Sequence, residues 1–176
     1  MIIIIGASAS GKTEVVKKLI NEYGYKKLVT YTTREKRVGE IDGIDYNFVS
    51  IDEFNKLLLN DEFFETIKYN NNYYGTLKKD ISVGKVVILE PNGFKKYNNS
   101  IYKPIVSFFL YSSRDMREKR MIYRGDKIEL IKERLESDSI IFSDENIKGV
   151  NFIINSDSLT ISEIAKEIND LYKREC

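Results

Sequence analysis

Apolar and polar positions along this chain fall into blocks whose period keeps changing. Ile2-Ile3-Ile4-Ile5 has no polar face, which predicts a strand buried on both sides. Beyond a glycine-containing stretch, Val15, Val16, Leu19, Ile20 and Tyr23 recur at helical spacing, and Gly24 stops that helix. Residues 28–32 read as a second strand. Tyr46-Asn47-Phe48-Val49 alternates and reads as another, entered through an Asp42-Gly43 turn. Ser50 and Glu53 form a capping box for a short helix with Ile51, Phe54, Leu57 and Leu58 inward. Phe63 to Tyr69 and Tyr73-Tyr74 read as strands around an Asn70-Asn71-Asn72 turn.

The rest of the chain returns to buried runs. Val86-Val87-Ile88-Leu89 and residues 105–111 read as strands, and Ser112-Ser113 opens a strongly charged helix. Gly125-Asp126 breaks that helix, residues 128–136 resume it, and Phe152-Ile153-Ile154 is the last strand. Thr160 and Glu163 cap a terminal helix burying Ile161, Ile164, Ala165, Ile168 and Leu171. Strands alternating with helices, and core runs without a polar face, predict a three-layer α/β fold. Its centre is a five-stranded parallel sheet with helices on both faces. Residues 30–78 have a small mixed α/β pattern of their own and read as an insertion after the second strand; the alternative is that they continue the sheet. Ligands in such a fold sit at the carboxyl ends of the strands. The polar clusters follow strand ends: residues 6–13, Thr32 to Arg37, Glu90 to Gly93, and Ser112 onward.

Composition narrows the chemistry. At 176 residues the chain suits one domain. A net charge of +1 gives no field for a polyanion, so a nucleic-acid polymer is not an expected partner. With no histidine, triads, metal sites and acid–base steps that need imidazole are excluded. Cys176 is the sole cysteine, so no disulfide framework is expected. The opening MIIII lacks a basic region and reads as a strand rather than a signal peptide. No apolar run reaches the length of a membrane span, so the expectation is a cytoplasmic protein without a membrane partner.

The stretch Gly6-Ala7-Ser8-Ala9-Ser10-Gly11-Lys12-Thr13 sits between strand and helix, the context in which G-x-x-x-x-G-K-[ST] binds phosphate. Its backbone N–H groups and the helix N-terminus suit an anion. Lys12 reaches the β- and γ-phosphates, and the Thr13 hydroxyl suits Mg²⁺. The plainer alternative is a glycine turn. Arg34 and Arg37 form one arginine group, and Arg120, Arg124 and Arg134 another around the glycine break. Guanidinium forks suit phosphate. Arg117 and Lys119 read instead as a solvated face. Glu90 ends a buried strand, where P-loop enzymes hold Mg²⁺ through water, or it is simply an acid at a helix N-terminus. Glu65 suits a base edge with two adjacent donors, as guanine has and adenine lacks. Tyr73-Tyr74-Gly75-Thr76 offers aromatic surface and hydroxyls beside it.

Thr32-Thr33-Arg34-x-x-Arg37-x-Gly39-Glu40-x-x-Gly43-x-Asp45-Tyr46-x-Phe48-Val49, then Glu62-Phe63-Phe64-Glu65 and Asn72-Tyr73-Tyr74-Gly75-Thr76, resembles the nucleoside-monophosphate-binding region of guanylate kinases. Order and spacing match over about residues 1–78, and a weaker match runs to Asn155. The resemblance implies a P-loop nucleoside monophosphate kinase fold in one domain. Its core is 1–29, 79–115 and 135–176, its GMP-binding region 30–78 and its short helical lid 116–134. It implies ATP as donor with Mg²⁺, GMP or dGMP as acceptor, a place in purine nucleotide metabolism, and a monomer or homodimer. Arg34, Arg37, Tyr46 and Tyr74 would hold the GMP phosphate, and Glu65 would accept from guanine. Thr30 and Thr76 stand where the family has hydroxyls near the base, with Gly75 allowing a close backbone approach. Arg120, Arg124 and Arg134 would close on the transferring phosphoryl group, with Asn155 near the adenine.

Some positions depart from the family pattern. Glu90-Pro91-Asn92 replaces the usual Asp-x-Asp, leaving Asn92 as an uncharged contact for guanine. Ala7 and Ala9 replace the usual Pro and Gly. The 75–84 stretch and the lid are shorter than usual. Two other readings stay open: a P-loop kinase for a different phosphorylated acceptor, and a non-catalytic guanylate-kinase-like interaction module.

Overall fold

The computed structural model describes residues 1–37, 39–69, 71–98 and 105–176. Its core sheet joins β1 (Ile2–Ile5), β2 (Lys26–Lys27), β7 (Lys85–Ile88), β8 (Val106–Tyr111) and β9 (Phe152–Asn155) in the order β2-β7-β1-β8-β9. Every pairing in it is parallel, as the continuous apolar runs require. β1 shows why four isoleucines are needed. Ile2 and Ile4 pack under α1 (Lys12–Tyr23) and α6 (Ile161–Glu175), while Ile3 and Ile5 pack on the other face with Phe94, Tyr97 and Phe109. All four are fully buried. In α6, Ile164, Ala165 and Ile168 are buried; Ile161 and Leu171 are only partly covered, and Asn169 and Tyr172 take the remaining inward positions.

The expected strand over 28–32 is divided between two sheets. Lys26–Lys27 pairs with β7, and the Leu28 N–H donates to the Val86 carbonyl at 2.8 Å. The chain then leaves the core and starts again as β3 (Tyr31–Thr32) in a second sheet. Leu28 belongs to the core cluster and Tyr31 packs against the smaller one, so one apolar run serves two cores. That second sheet has the order β4-β3-β6-β5, with β4 (Asn47–Phe48), β5 (Phe63–Tyr69) and β6 (Asn72–Leu77). It is the mixed insertion expected over 30–78. Asn70 of the expected turn lies outside the described residues; Asn71 has φ 60°.

α2 (Ile51–Leu59) covers this small sheet behind the expected capping box. Only Phe54 is buried, stacked 4.4 Å from Phe63; Leu57 is half-buried. Ile51 and Leu58 face solvent, contrary to expectation, because the small sheet accepts a single narrow stripe from the helix. The charged region is a hairpin of α4 (Arg114–Tyr123) and α5 (Ile128–Ile141), closed by Met121, Ile131 and Leu135 with Ala9 against them. α5 runs five residues beyond the expected end at 136.

Candidate active site

The P-loop leaves β1 at Gly6 and enters α1 at Gly11, whose φ of +98° a side chain would resist. Ala9 is also left-handed, at φ 60°, where the resemblance expects glycine. Its methyl group rests on the Met121 cluster, and that contact offsets part of the backbone cost. Lys12 turns back over the loop, its Nζ donating to the Gly6 and Ala7 carbonyls at 2.6 and 2.7 Å. Burial lowers its pKa to about 8, against the raising effect of Asp138 and Glu90. A cleft of about 260 Å³ opens here between Ala9, Gly11, Lys12, Thr13, Arg120 and Arg124. Arg120 is already fixed at its wall, donating to the Ala9 carbonyl at 3.1 Å and the Ser156 carbonyl at 2.8 Å. Arg124 and Arg134 both pair with Asp126 in the turn after α4. Asn155, exposed at the end of β9, accepts from the Asp157 N–H at 2.9 Å.

A second cleft, of about 270 Å³, lies between the two sheets. Thr30, Tyr46, Glu65, Tyr74, Gly75 and Glu90 are among its walls. Glu65 is only 8% exposed and accepts from the Thr76 hydroxyl at 2.9 Å, and burial pushes its pKa up. Gly75 permits this spacing: a Cβ there would lie 2.7 Å from the Phe63 ring. The Tyr46 and Tyr74 rings meet edge-on at 6.0 Å. Arg34 lies 5.5 Å from the Tyr46 ring and pairs with Glu40 at 2.7 Å, which raises its pKa. Arg37 is exposed nearby, its backbone N–H on Glu40 at 2.8 Å.

The two clefts share Glu90, which lines the second while its charge acts on Lys12 in the first. Glu90 precedes α3 (Pro91–Asn98), and its carbonyl accepts from the Phe94 N–H at 3.0 Å. Asn92 is therefore an exposed first-turn residue; the cleft is lined on this side by Ile88, Leu89, Glu90 and Gly93. The pair at a spacing of two that borders the cleft is Ile88 and Glu90, one apolar and one acidic. Thr13 is exposed at the start of α1. A hydroxyl and a carboxylate are the hard oxygen donors that suit Mg²⁺, so these residues fit that ion.

Near the clefts, the sequence misled on Arg117 and gave Asp138, Tyr97 and Ile88 no role. Arg117, expected on a solvated face, is buried and paired with Asp138 at 2.8 Å. It sits four residues before Met121, and Asp138 three after Leu135, so both occupy core positions of their helices. Two opposite charges at core positions of consecutive helices were a readable signal. Tyr97, packed 4.5 Å from Phe64 with its hydroxyl buried beside Glu65 and Thr76, gave none. Nor did Ile88. Lys119 is exposed, as expected.

A doubly covered parallel sheet, a P-loop, and an inserted sheet that carries an arginine and tyrosine cleft beside it define a P-loop nucleoside monophosphate kinase. A family model described as guanylate kinase matches residues 1–174. A guanylate kinase of Fusobacterium nucleatum is 30% identical over 177 residues, covering 96% of this chain and 91% of the relative. One of Mycoplasma genitalium is 33% identical over 180 residues, covering 96% and 72%. The crystal structure of guanylate kinase from Anaplasma phagocytophilum shares the fold, with a TM-score of 0.72 at 22% identity, covering 99% of this chain and 85% of that one. The chain belongs to the guanylate kinase family.

Proposed function

We propose that the two clefts are the donor and acceptor sites for transfer of the γ-phosphoryl group of ATP to GMP, and to dGMP with it. The observation that carries this reading is the buried Glu65 carboxylate in a cleft walled by Tyr46 and Tyr74, with Arg34 over Tyr46. A carboxylate accepts from the two adjacent donors of guanine, and the guanidinium beside it suits the monophosphate. Thr76 orients Glu65, Thr30 lines the base end, and Arg37 adds charge at the phosphate end. The residues Gly6 to Thr13 hold the ATP phosphates, with Asn155 toward the adenine. Residues 30–78 serve as the GMP-binding region and residues 116–134 as the lid.

The acceptor oxygen of GMP is already anionic, so transfer needs no general base and the absence of histidine is no obstacle. Lys12 turns from its carbonyl partners to the phosphates. Arg120 stabilises charge on the transferring group from its fixed position, and Arg124 and Arg134 join it on leaving Asp126. Thr13 and Glu90 would hold Mg²⁺, which supplies charge neutralisation on the phosphates. Closure of lid and insertion over both nucleotides excludes water.

The test is ADP formation from ATP and Mg²⁺ with GMP, dGMP, IMP, AMP, UMP and dTMP offered separately. Turnover confined to GMP and dGMP is expected. Faster turnover of another acceptor would overturn the base-reading role of Glu65. Binding of GMP without turnover would favour a non-catalytic module.

A further inference from the structure

The buried Arg117–Asp138 pair is not explained by stability. Each side chain is only 9% exposed, and the Arg117 Nε has no hydrogen-bond partner. Burying two charges costs much of what their attraction returns, and an apolar pair of similar volume commonly does as well. The surroundings already suit apolar residues, since Met121, Ile131 and Leu135 form the cluster between the same two helices. What an apolar pair could not do is bond the P-loop. Asp138 Oδ2 accepts from the Ser8 N–H at 2.9 Å and from Arg117 Nη1 at 2.8 Å. The next residue is held from the same hairpin, by Arg120 on the Ala9 carbonyl and by the Met121 cluster on its methyl group.

We propose that Arg117 and Asp138 are positioning residues for the donor site: Asp138 fixes the P-loop through the Ser8 amide, and Arg117 holds that carboxylate in place. The pair ties the loop to the hairpin that carries Arg120, Arg124 and Arg134, so loop and arginines keep one geometry. The proposal rests on the donor-site reading above.

The test compares Asp138→Asn and the double variant Arg117→Leu/Asp138→Ala with the parent enzyme. The measurements are thermal midpoint, and kcat and KM for each nucleotide. The double variant is expected to melt within a few degrees of the parent, yet to raise KM for ATP about tenfold or more with KM for GMP nearly unchanged. A merely structural pair would not divide the two substrates in this way. Asp138→Asn keeps an acceptor for Ser8 but loses the charge. It should raise KM for ATP by less than the double variant does, again with KM for GMP nearly unchanged. Parent-like constants in both variants would overturn the proposal. If the double variant does not fold, the KM split of Asp138→Asn decides alone. A parallel Lys12→Ala control separates the readings: if it keeps turnover, the donor-site reading itself fails.

Discussion

Replacing Glu65 with Gln changes charge and hydrogen-bonding capacity in the acceptor cleft with almost no change of shape. The carboxylate accepts from the Thr76 hydroxyl at 2.9 Å through Oε1. Its other acceptor directions remain for the N1–H and 2-amino donors of guanine. Glutamine keeps one acceptor oxygen and sets an NH₂ group against one of the guanine donors. One charge-assisted bond is lost and the other becomes neutral. At about 1.5–3 kcal/mol for a charged bond and about 1 for a neutral one, the loss is about 3 kcal/mol. That is about a hundredfold in GMP affinity. Initial rates at saturating ATP, with GMP varied, measure it; a second series varies ATP. A GMP effect below about threefold, or an equal rise in KM for ATP, refutes the assignment. The free enzyme gives an independent check. Burial raises the Glu65 pKa, so the folded state holds this proton more tightly than the unfolded chain. The stability this provides is complete below the ordinary carboxylate pKa and is lost as pH rises through the raised value. Glutamine has no proton to lose. The variant should therefore melt higher than the parent at neutral pH, with the advantage shrinking on acidification.

Further outcomes follow from the donor side and from the helix ends. Lys12→Ala should lower kcat by about 10²–10³, because a donor at developing charge is lost; near-normal turnover in a coupled ADP assay would contradict this. In the parent, kcat/KM for ATP should fall as pH rises through about 8, where Lys12 loses its proton. Thr160→Ala removes the capping box with Glu163 at the start of α6. It should cost about 1 kcal/mol and lower Tm by about 2–4 °C in a scanning melt, with kinetics unchanged.

The core sheet was legible because its strands carry apolar runs with no alternating polar face, and an unbroken run such as Val86-Val87-Ile88 has few other readings. The P-loop was legible because its chemistry is local in the chain. The 28–32 run was not, since nothing in Leu28-Val29-Thr30-Tyr31-Thr32 marks the residue at which the backbone changes sheets. α2 was overfilled because helical spacing gives a stripe, while its width depends on the neighbour it meets. Arg117 failed for the opposite reason: charge was weighed above position. Its partner lies 21 residues away on another helix, and only the folded hairpin brings the two within 2.8 Å. Asn92 came from the resemblance, as the second member of the Glu90-Pro91-Asn92 pattern; it is an exposed residue in the first turn of α3, and Ile88 and Glu90 border the cleft.

Five of the cations proposed to bind phosphate share one feature that the sequence could not show. Arg34 is held by Glu40, and Arg124 and Arg134 by Asp126. Lys12 is held by two carbonyls, and Arg120 by the Ala9 and Ser156 carbonyls. Each of these five groups thus has oxygen partners in place of phosphate. The exposed Arg124 and Arg134 pairs with Asp126 add little to stability, so their loss on substrate binding costs little. Their effect is on geometry and charge. Glu40 raises the pKa of Arg34 and keeps its guanidinium against the Tyr46 and Phe48 rings, at 5.5 and 5.6 Å. Arg120 differs, because its partners are the P-loop and the residue after Asn155, part of the donor site itself. It has nothing to exchange and nowhere to swing. On the proposed reading, Arg120 is a fixed wall of the donor cleft, and Arg34, Arg124 and Arg134 change partners when the nucleotides arrive.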